Sequence, residues 1–194
     1  RLVLHTGADI GNPMGTPILA VGDGVVSYAG TDAEHAYGPW PNYYGQLIVL
    51  EMARRYEERP VFVLYGHVSK ILVRAGDQVR AGDVIGEVGM TGIALGPHLH
   101  IEVRLDRNDY YDTRNPEFWL RNLPGFGAIA GRVVNPAGQT LPVVSVLVYK
   151  LERLDRVWMI APTYPEDREI NPDDAWQENF LLADVPAGRY LVEA

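Results

Sequence analysis

Four of the five histidines stand where they could do chemistry together. His5 and Asp9 lie four apart around Gly7 in HTGAD, His67 closes the apolar run VFVLYGH, and His98 and His100 lie two apart in GPHLH. In an extended chain alternate side chains share a face, so His98 and His100 project side by side while Leu99 points into the core. One strand can thus present two imidazoles to one pocket. Neutral imidazole and carboxylate are good zinc donors at about 2.0–2.2 Å, and a catalytic zinc site takes three protein ligands and keeps a position open for water. A His/Asp pair at this spacing is common by chance, and a lone histidine after a strand is usually satisfied by its surroundings. Two imidazoles on one strand weigh more, because burying them without partners is costly. Spacing alone therefore makes a metal site one reading among others. His35, in the stretch 31–45, reads as solvated.

These residues need a scaffold, and the sequence supplies strands. GVVSYAG (24–30), GQLIVLEM (45–52), VFVLYGHV (61–68), QVRAGDVIGEVG (78–89) and HLHIEVRL (98–105) are short β-branched and aromatic runs bounded by turn residues. Few windows hold a helical period. The best is NPEFWL (115–120), with Asn115 as cap and Pro116 at the first helical position. The Pro/Gly cluster LPGFG (123–127) marks a boundary, giving a first domain over 1–123 and a second over 128–194. The second carries its own strands in AIAGRVV, LPVVSVLVYKL, ENFLLADV and RYLVEA, the pattern of a small sandwich. The Pro- and acid-rich stretch 161–174 reads as an exposed loop.

Composition removes several classes of function. Seventeen Lys and Arg against 25 Asp and Glu leave a net charge of −8, which argues against nucleic acid or an anionic membrane as the main partner. No apolar stretch approaches the roughly 20 residues of a membrane-spanning helix. The absence of cysteine excludes disulfides, thiol catalysis and Cys-ligated zinc. A start at Arg1, without Met or a signal-like segment, points to a processed or trimmed product.

HTGADI, GTPILAVGDGVVSYAG, YGQLIVLE, LYGHVSKILVRAGDQVRAGDVIGEVGMTG and GPHLHIEVR, in this order, resemble the lysostaphin/LytM-like zinc metalloendopeptidases that cut peptidoglycan peptides. The resemblance covers roughly residues 1–122. It implies a mostly β, compact antiparallel peptidase fold of barrel-sandwich-hybrid type with a groove for the metal. Carried over position by position, it makes His5, Asp9 and His100 the ligands of Zn2+, and His67 and His98 the catalytic histidines. The substrate would be a peptidoglycan peptide and the location extracytoplasmic: secreted, periplasmic or in the cell envelope. HExxH, with its glutamate base, is absent, and a histidine with a pKa near 6.5 can move the proton instead. We assign water activation to His98 and oxyanion stabilisation to His67, roles that can be exchanged. Gly7 would let the chain turn tightly between two ligands. Gly89, Gly92 and Gly96 would let a loop pass close to the groove, with Pro97 holding the chain extended before His98. The aromatics Tyr37, Trp40, Tyr43 and Tyr44 either wall that groove or pack a surface loop.

The second segment, through GRVVNPAGQTLPVVSVLVY and NFLLADVPAGRYLVEA, resembles carboxypeptidase-regulatory or collagen-adhesin B-type sandwiches, which act as spacers or binding platforms. The leading function is thus a zinc endopeptidase acting on cell-wall cross-links. A non-catalytic cell-wall binding or regulatory protein of the same fold is the alternative, and the intact ligand set weighs against it. A biotinyl- or lipoyl-type carrier, suggested by VRAGDQVRAGDVIGEV, lacks its lysine: Lys70 precedes the repeat.

Overall fold

The computed structural model describes residues 6–166 and 169–194. The chain divides into two units, one spanning Thr6–Pro116 and a second running from Glu117 to Ala194. Both are built from strands. The only helical segments among the described residues are 3-10 turns at Tyr110–Asp112 and Pro116–Phe118, so the helix expected over 115–120 is one turn.

The first unit contains β1 (Ala8–Gly11), β2 (Pro17–Leu19), β3 (Gly24–Thr31), β4 (Gln46–Met52), β5 (Val61–Gly66), β6 (Val68–Ile71), β7 (Gln78–Val79), β8 (Val84–Val88), β9 (His98–Leu105) and β10 (Thr113–Arg114). One antiparallel sheet runs β1-β9-β5-β4-β3-β7, with β10 also paired to β9; a smaller sheet runs β2-β8-β6. Between them lies the main core: Ile18, Val26, Ile48, Leu50, Val63, Tyr65, Val68, Ile85, Val88 and Ile101 are all buried. The opposite face of the large sheet is also covered, by a cluster of Tyr44, Leu47, Val49 and Leu64 with Tyr28, Tyr37, Tyr43 and Phe62 against it. Because β4 is buried on both faces, it reads as a continuous apolar run rather than an alternating one.

Two runs expected as single strands are divided. His67 separates β5 from β6, and a turn at 80–83 separates β7 from β8. The charged link between β4 and β5 is a tight hairpin tip: Glu57 and Glu58 both have left-handed backbones, φ 48° and 65°, as two-residue hairpin turns require.

The second unit contains β11 (Phe126–Gly131), β12 (Ser145–Lys150), β13 (Met159–Pro162), β14 (Phe180–Pro186) and β15 (Tyr190–Glu193). β11 pairs with β14, and β13-β12-β15 form a second sheet. Val146, Val148, Ala161, Phe180, Leu182 and Val185, drawn from both sheets, form one core. The stretch 161–174 is not a single exposed loop. Its start lies in β13, and Ala161, Thr163, Tyr164 and Ile170 are buried, because the Pro-rich composition hides a short strand and three apolar anchors.

Candidate functional site

β9 carries the site because its two faces differ in chemistry. Ile101 and, partly buried, Leu99 pack on the main core, while His98, His100, Glu102 and Arg104 alternate with them. β9 lies between β1 and β5, and register sets Asp9 opposite His100, Gly11 opposite His98 and Gly66 opposite His100. Directly opposed antiparallel residues share a face. Asp9 Oδ1 accordingly stands 2.8 Å from His100 Nδ1 and 3.5 Å from His98 Nε2. His5 lies outside the described residues.

His67 reaches the same place by a different route. Simple alternation along β5 would send residue 67 toward the core, since Val63 and Tyr65 pack there and Gly66 faces His100. A left-handed backbone at His67, φ 61°, breaks the alternation. The ring ends 4.7 Å from that of His98 and 5.6 Å from that of His100, centroid to centroid. A non-glycine residue in this conformation costs on the order of 1–3 kcal/mol and persists only where its surroundings impose it. Here they do: the His67 N–H donates to the Tyr44 carbonyl at 3.0 Å, and its Nδ1 lies 2.8 Å from the Thr91 carbonyl.

Tautomers follow from the acceptors. A carbonyl oxygen only accepts, so Nδ1 of His67 donates to Thr91 and Nδ1 of His98 donates to Gly96, at 2.8 Å each. In the neutral ring Nε2 then holds the lone pair. Burial pulls His67 below the ordinary histidine pKa, against the opposing pull of its bond to Thr91. It is a neutral base at pH 7.

Beneath His100 lies a buried polar network. Glu102 Oε1 is 3.0 Å from His100 Nε2 and accepts from the hydroxyls of Thr6, at 2.6 Å, and Tyr44. Arg104 donates to Glu102 Oε2 through Nε at 2.9 Å, and it also bonds the Tyr37 carbonyl and Asn108. Burial would raise the Glu102 carboxyl, but the Arg104 charge and the hydrogen bonds outweigh it and hold the group ionised. Burial likewise opposes charge on His100, yet its bonds to Asp9 and Glu102 prevail and raise it to about 9. The Tyr44 hydroxyl is pushed up by burial and by Glu102.

The loop 31–45 packs against the sheet. Asp32, fully buried, accepts the N–H groups of Tyr44 and Gly45, and Tyr43 and Tyr44 pack the sheet face. The Tyr44 ring meanwhile lies 5.5 Å from His100 and 6.4 Å from His67. Trp40 and His35 are exposed. Gly7 lies in a bend, its φ is not left-handed, and a Cβ there would stand 2.6 Å from His100 Cε1 and from the Ile101 carbonyl oxygen.

Among the described residues no group of three His, Cys, Asp or Glu has metal-holding spacing, and two of the three expected ligands, Asp9 and His100, are described. Their chemistry fits zinc. A carboxylate oxygen and an imidazole nitrogen converge on one face, and the second ring nitrogen is already engaged by Glu102.

Residues 3–113 match peptidase family M23. The chain belongs to that family. Its similarity to M23-type enzymes includes 39% identity over 103 residues with the DD-carboxypeptidase/endopeptidase Mpg of Neisseria meningitidis, covering 53% of this chain and 20% of that protein. Peptidoglycan DD-endopeptidase ShyA of Vibrio cholerae is also 39% identical over 103 residues, 53% of this chain and 21% of that protein. Lysostaphin of Staphylococcus staphylolyticus is 32% identical over 139 residues, 71% of this chain and 26% of that protein. The catalytic domain of the antimicrobial peptidase lysostaphin from Staphylococcus simulans superposes with a TM-score of 0.51 at 31% identity, covering 60% of this chain and 78% of that one. The chain spans about a fifth of the length of the first relatives it matches.

Within the M23 unit, sequence reasoning passed over Thr6, Glu102 and Arg104 and left Tyr44 as one loop aromatic among several. A signal existed for two of them. The period-two register that pairs His98 with His100 continues through Glu102 and Arg104, and four polar residues on one strand face ask for partners.

Proposed function

We propose that this M23 chain is a zinc-dependent endopeptidase that hydrolyses peptide cross-links of bacterial peptidoglycan, and therefore acts outside the cytoplasm. The observation that carries the reading is the convergence of Asp9, His98, His100 and His67 from two strands and a left-handed corner onto one face. His5, Asp9 and His100 would hold the ion. When bound, zinc supplies a Lewis acid for the scissile carbonyl and a water whose pKa falls to about 7.

The chain's own residues divide the proton work. His67, neutral and with its lone pair on Nε2, takes the proton from the attacking water. His98, whose Nε2 faces the Asp9 carboxylate, donates from Nε2 to the tetrahedral oxyanion when both of its nitrogens carry protons. The proton that His67 took from water passes from His67 to the leaving amine. This is the exchanged order of the two roles that the resemblance leaves open. For the second unit we infer a carboxypeptidase-regulatory-like spacer or wall-binding platform, supported by two small sheets around one core.

The test is release of new amines from purified sacculi together with metal analysis. We expect one zinc per chain, cleavage abolished by a chelator and restored by zinc. Binding to sacculi with zinc bound and no new amines would replace the enzyme reading with the non-catalytic one.

A further inference from the structure

We propose that Glu102 is a positioning residue for the metal: its buried carboxylate holds His100 with the proton on Nε2 and the lone pair on Nδ1, beside Asp9. This rests on the zinc reading above. Glu102 is fully buried, and its Oε1 lies 3.0 Å from His100 Nε2, while Nδ1 of the same ring lies 2.8 Å from Asp9 Oδ1. Both carboxylates accept from this ring, but Glu102 is buried and held by Thr6, Tyr44 and Arg104, while Asp9 is partly exposed. An ion entering from the open side therefore meets Nδ1 and leaves the Nε2–Glu102 bond in place. That leaves Nδ1 as the donor atom, on the side of the other described ligand.

The surroundings explain why Glu102 is a partner of the ligand and not a ligand itself. Thr6 and Tyr44 donate to Oε1, and Arg104 holds Oε2 through Nε and a second nitrogen at 2.7 Å. Arg104 is itself fully buried and bonded to the Tyr37 carbonyl, Asn108 and the Tyr44 hydroxyl, so the carboxylate cannot swing toward Asp9 without stranding a guanidinium. A carboxylate on the far nitrogen of a ligating imidazole fixes its orientation and raises its basicity, and losing such a partner typically costs about 10–100-fold in metal affinity.

Two measurements on the full chain test this. Nitrogen-15 NMR of the zinc-loaded, histidine-labelled protein should show His100 protonated at Nε2 and metal-bound at Nδ1; the opposite pattern overturns the proposal without any substitution. Zinc affinity is then read by competition with a chromophoric chelator for Glu102→Gln and for Glu102→Gln/Arg104→Gln, which leaves no unpaired buried charge. We expect zinc to bind about 10–100-fold more weakly, with a shifted visible band in the cobalt(II) forms. A variant that keeps the parent's circular dichroism and binds zinc within about twofold of the parent overturns the proposal. A parent that binds no zinc removes the endopeptidase reading and this one together, whereas a parent that binds zinc through the other tautomer removes only this one.

Discussion

At the scale of single residues, the chemistry depends on which nitrogen of each imidazole is engaged. His67 and His98 give Nδ1 to backbone carbonyls, whereas His100 has a carboxylate at each nitrogen. On the proposed reading the first two exchange protons and the third grips an ion. Two substitutions separate these roles. Asp9→Ala should lose zinc by metal analysis. His67→Ala should keep zinc but lower the rate of amine release by about 10²-fold or more, the contribution of a positioned base. Parent-rate cleavage by His67→Ala would remove His67 from the reaction. Arg104 offers a stability test. Arg104→Met leaves the Glu102 charge buried without its main partner, and should lower the unfolding free energy of the first unit by about 3–5 kcal/mol in urea titrations.

Elements matter through register and through the loops between them. β9 brings its polar face to β1 by pairing Asp9 with His100, and a slip of one residue would send every one of these side chains into the main core. The loops 31–45 and 89–97 meet at two glycines. Gly45 and Gly92 both have φ of 71°, and a Cβ on Gly92 would lie 2.5 Å from the Tyr43 carbonyl oxygen and 2.6 Å from the Gly45 nitrogen. Thr91, next in the chain, supplies the carbonyl that orients His67. Gly92→Ala should therefore cost about 1–3 kcal/mol of stability. It should also lower kcat more than zinc content, because the displaced carbonyl frees the His67 ring while Asp9 and His100 remain paired. Unchanged kcat with intact zinc would show that Thr91 does not set the His67 ring.

Across the whole molecule, the two units bury separate cores, and no helix among the described residues is long and apolar enough to cross a membrane. Val148→Ala deletes buried methyl groups from the second core and should cost that unit about 2 kcal/mol, with zinc content and the rate of amine release unchanged. A fall in zinc content would show that the site depends on the second core. Glu178 makes the second unit sensitive to pH. Burial raises its carboxyl above the ordinary glutamate value, against hydrogen bonds from the Asp173 N–H and the Tyr164 hydroxyl. The folded chain thus holds this proton to higher pH than the unfolded chain does. The associated stability is full below the ordinary glutamate pKa and is lost as pH rises through the folded value. Glu178→Gln should flatten that fall, seen as a smaller drop in the second unit's urea midpoint between pH 4 and pH 6. An identical pH slope in parent and variant would reject the assignment.

Much of this protein is decided locally, and that part is legible in its sequence. Alternation over HLHIEVRL implies a strand with two imidazoles on one face, and the turn residues delimit most of the other strands, because side-chain direction in an extended chain depends only on position parity. The mostly β class and the kinship of the first unit follow from such local patterns. Only the tertiary structure decided which side of the sheet His67 serves. Its left-handed backbone is imposed by the Tyr44 and Thr91 carbonyls, partners from distant segments that alternation alone would not select. Tertiary structure also assembled Thr6, Tyr44, Glu102 and Arg104 around one carboxylate, with Tyr44 58 residues from Glu102 in the chain. A buried charge is tolerable only when partners surround it, and those partners are brought together by the pairing of strands, not by neighbourhood along the chain.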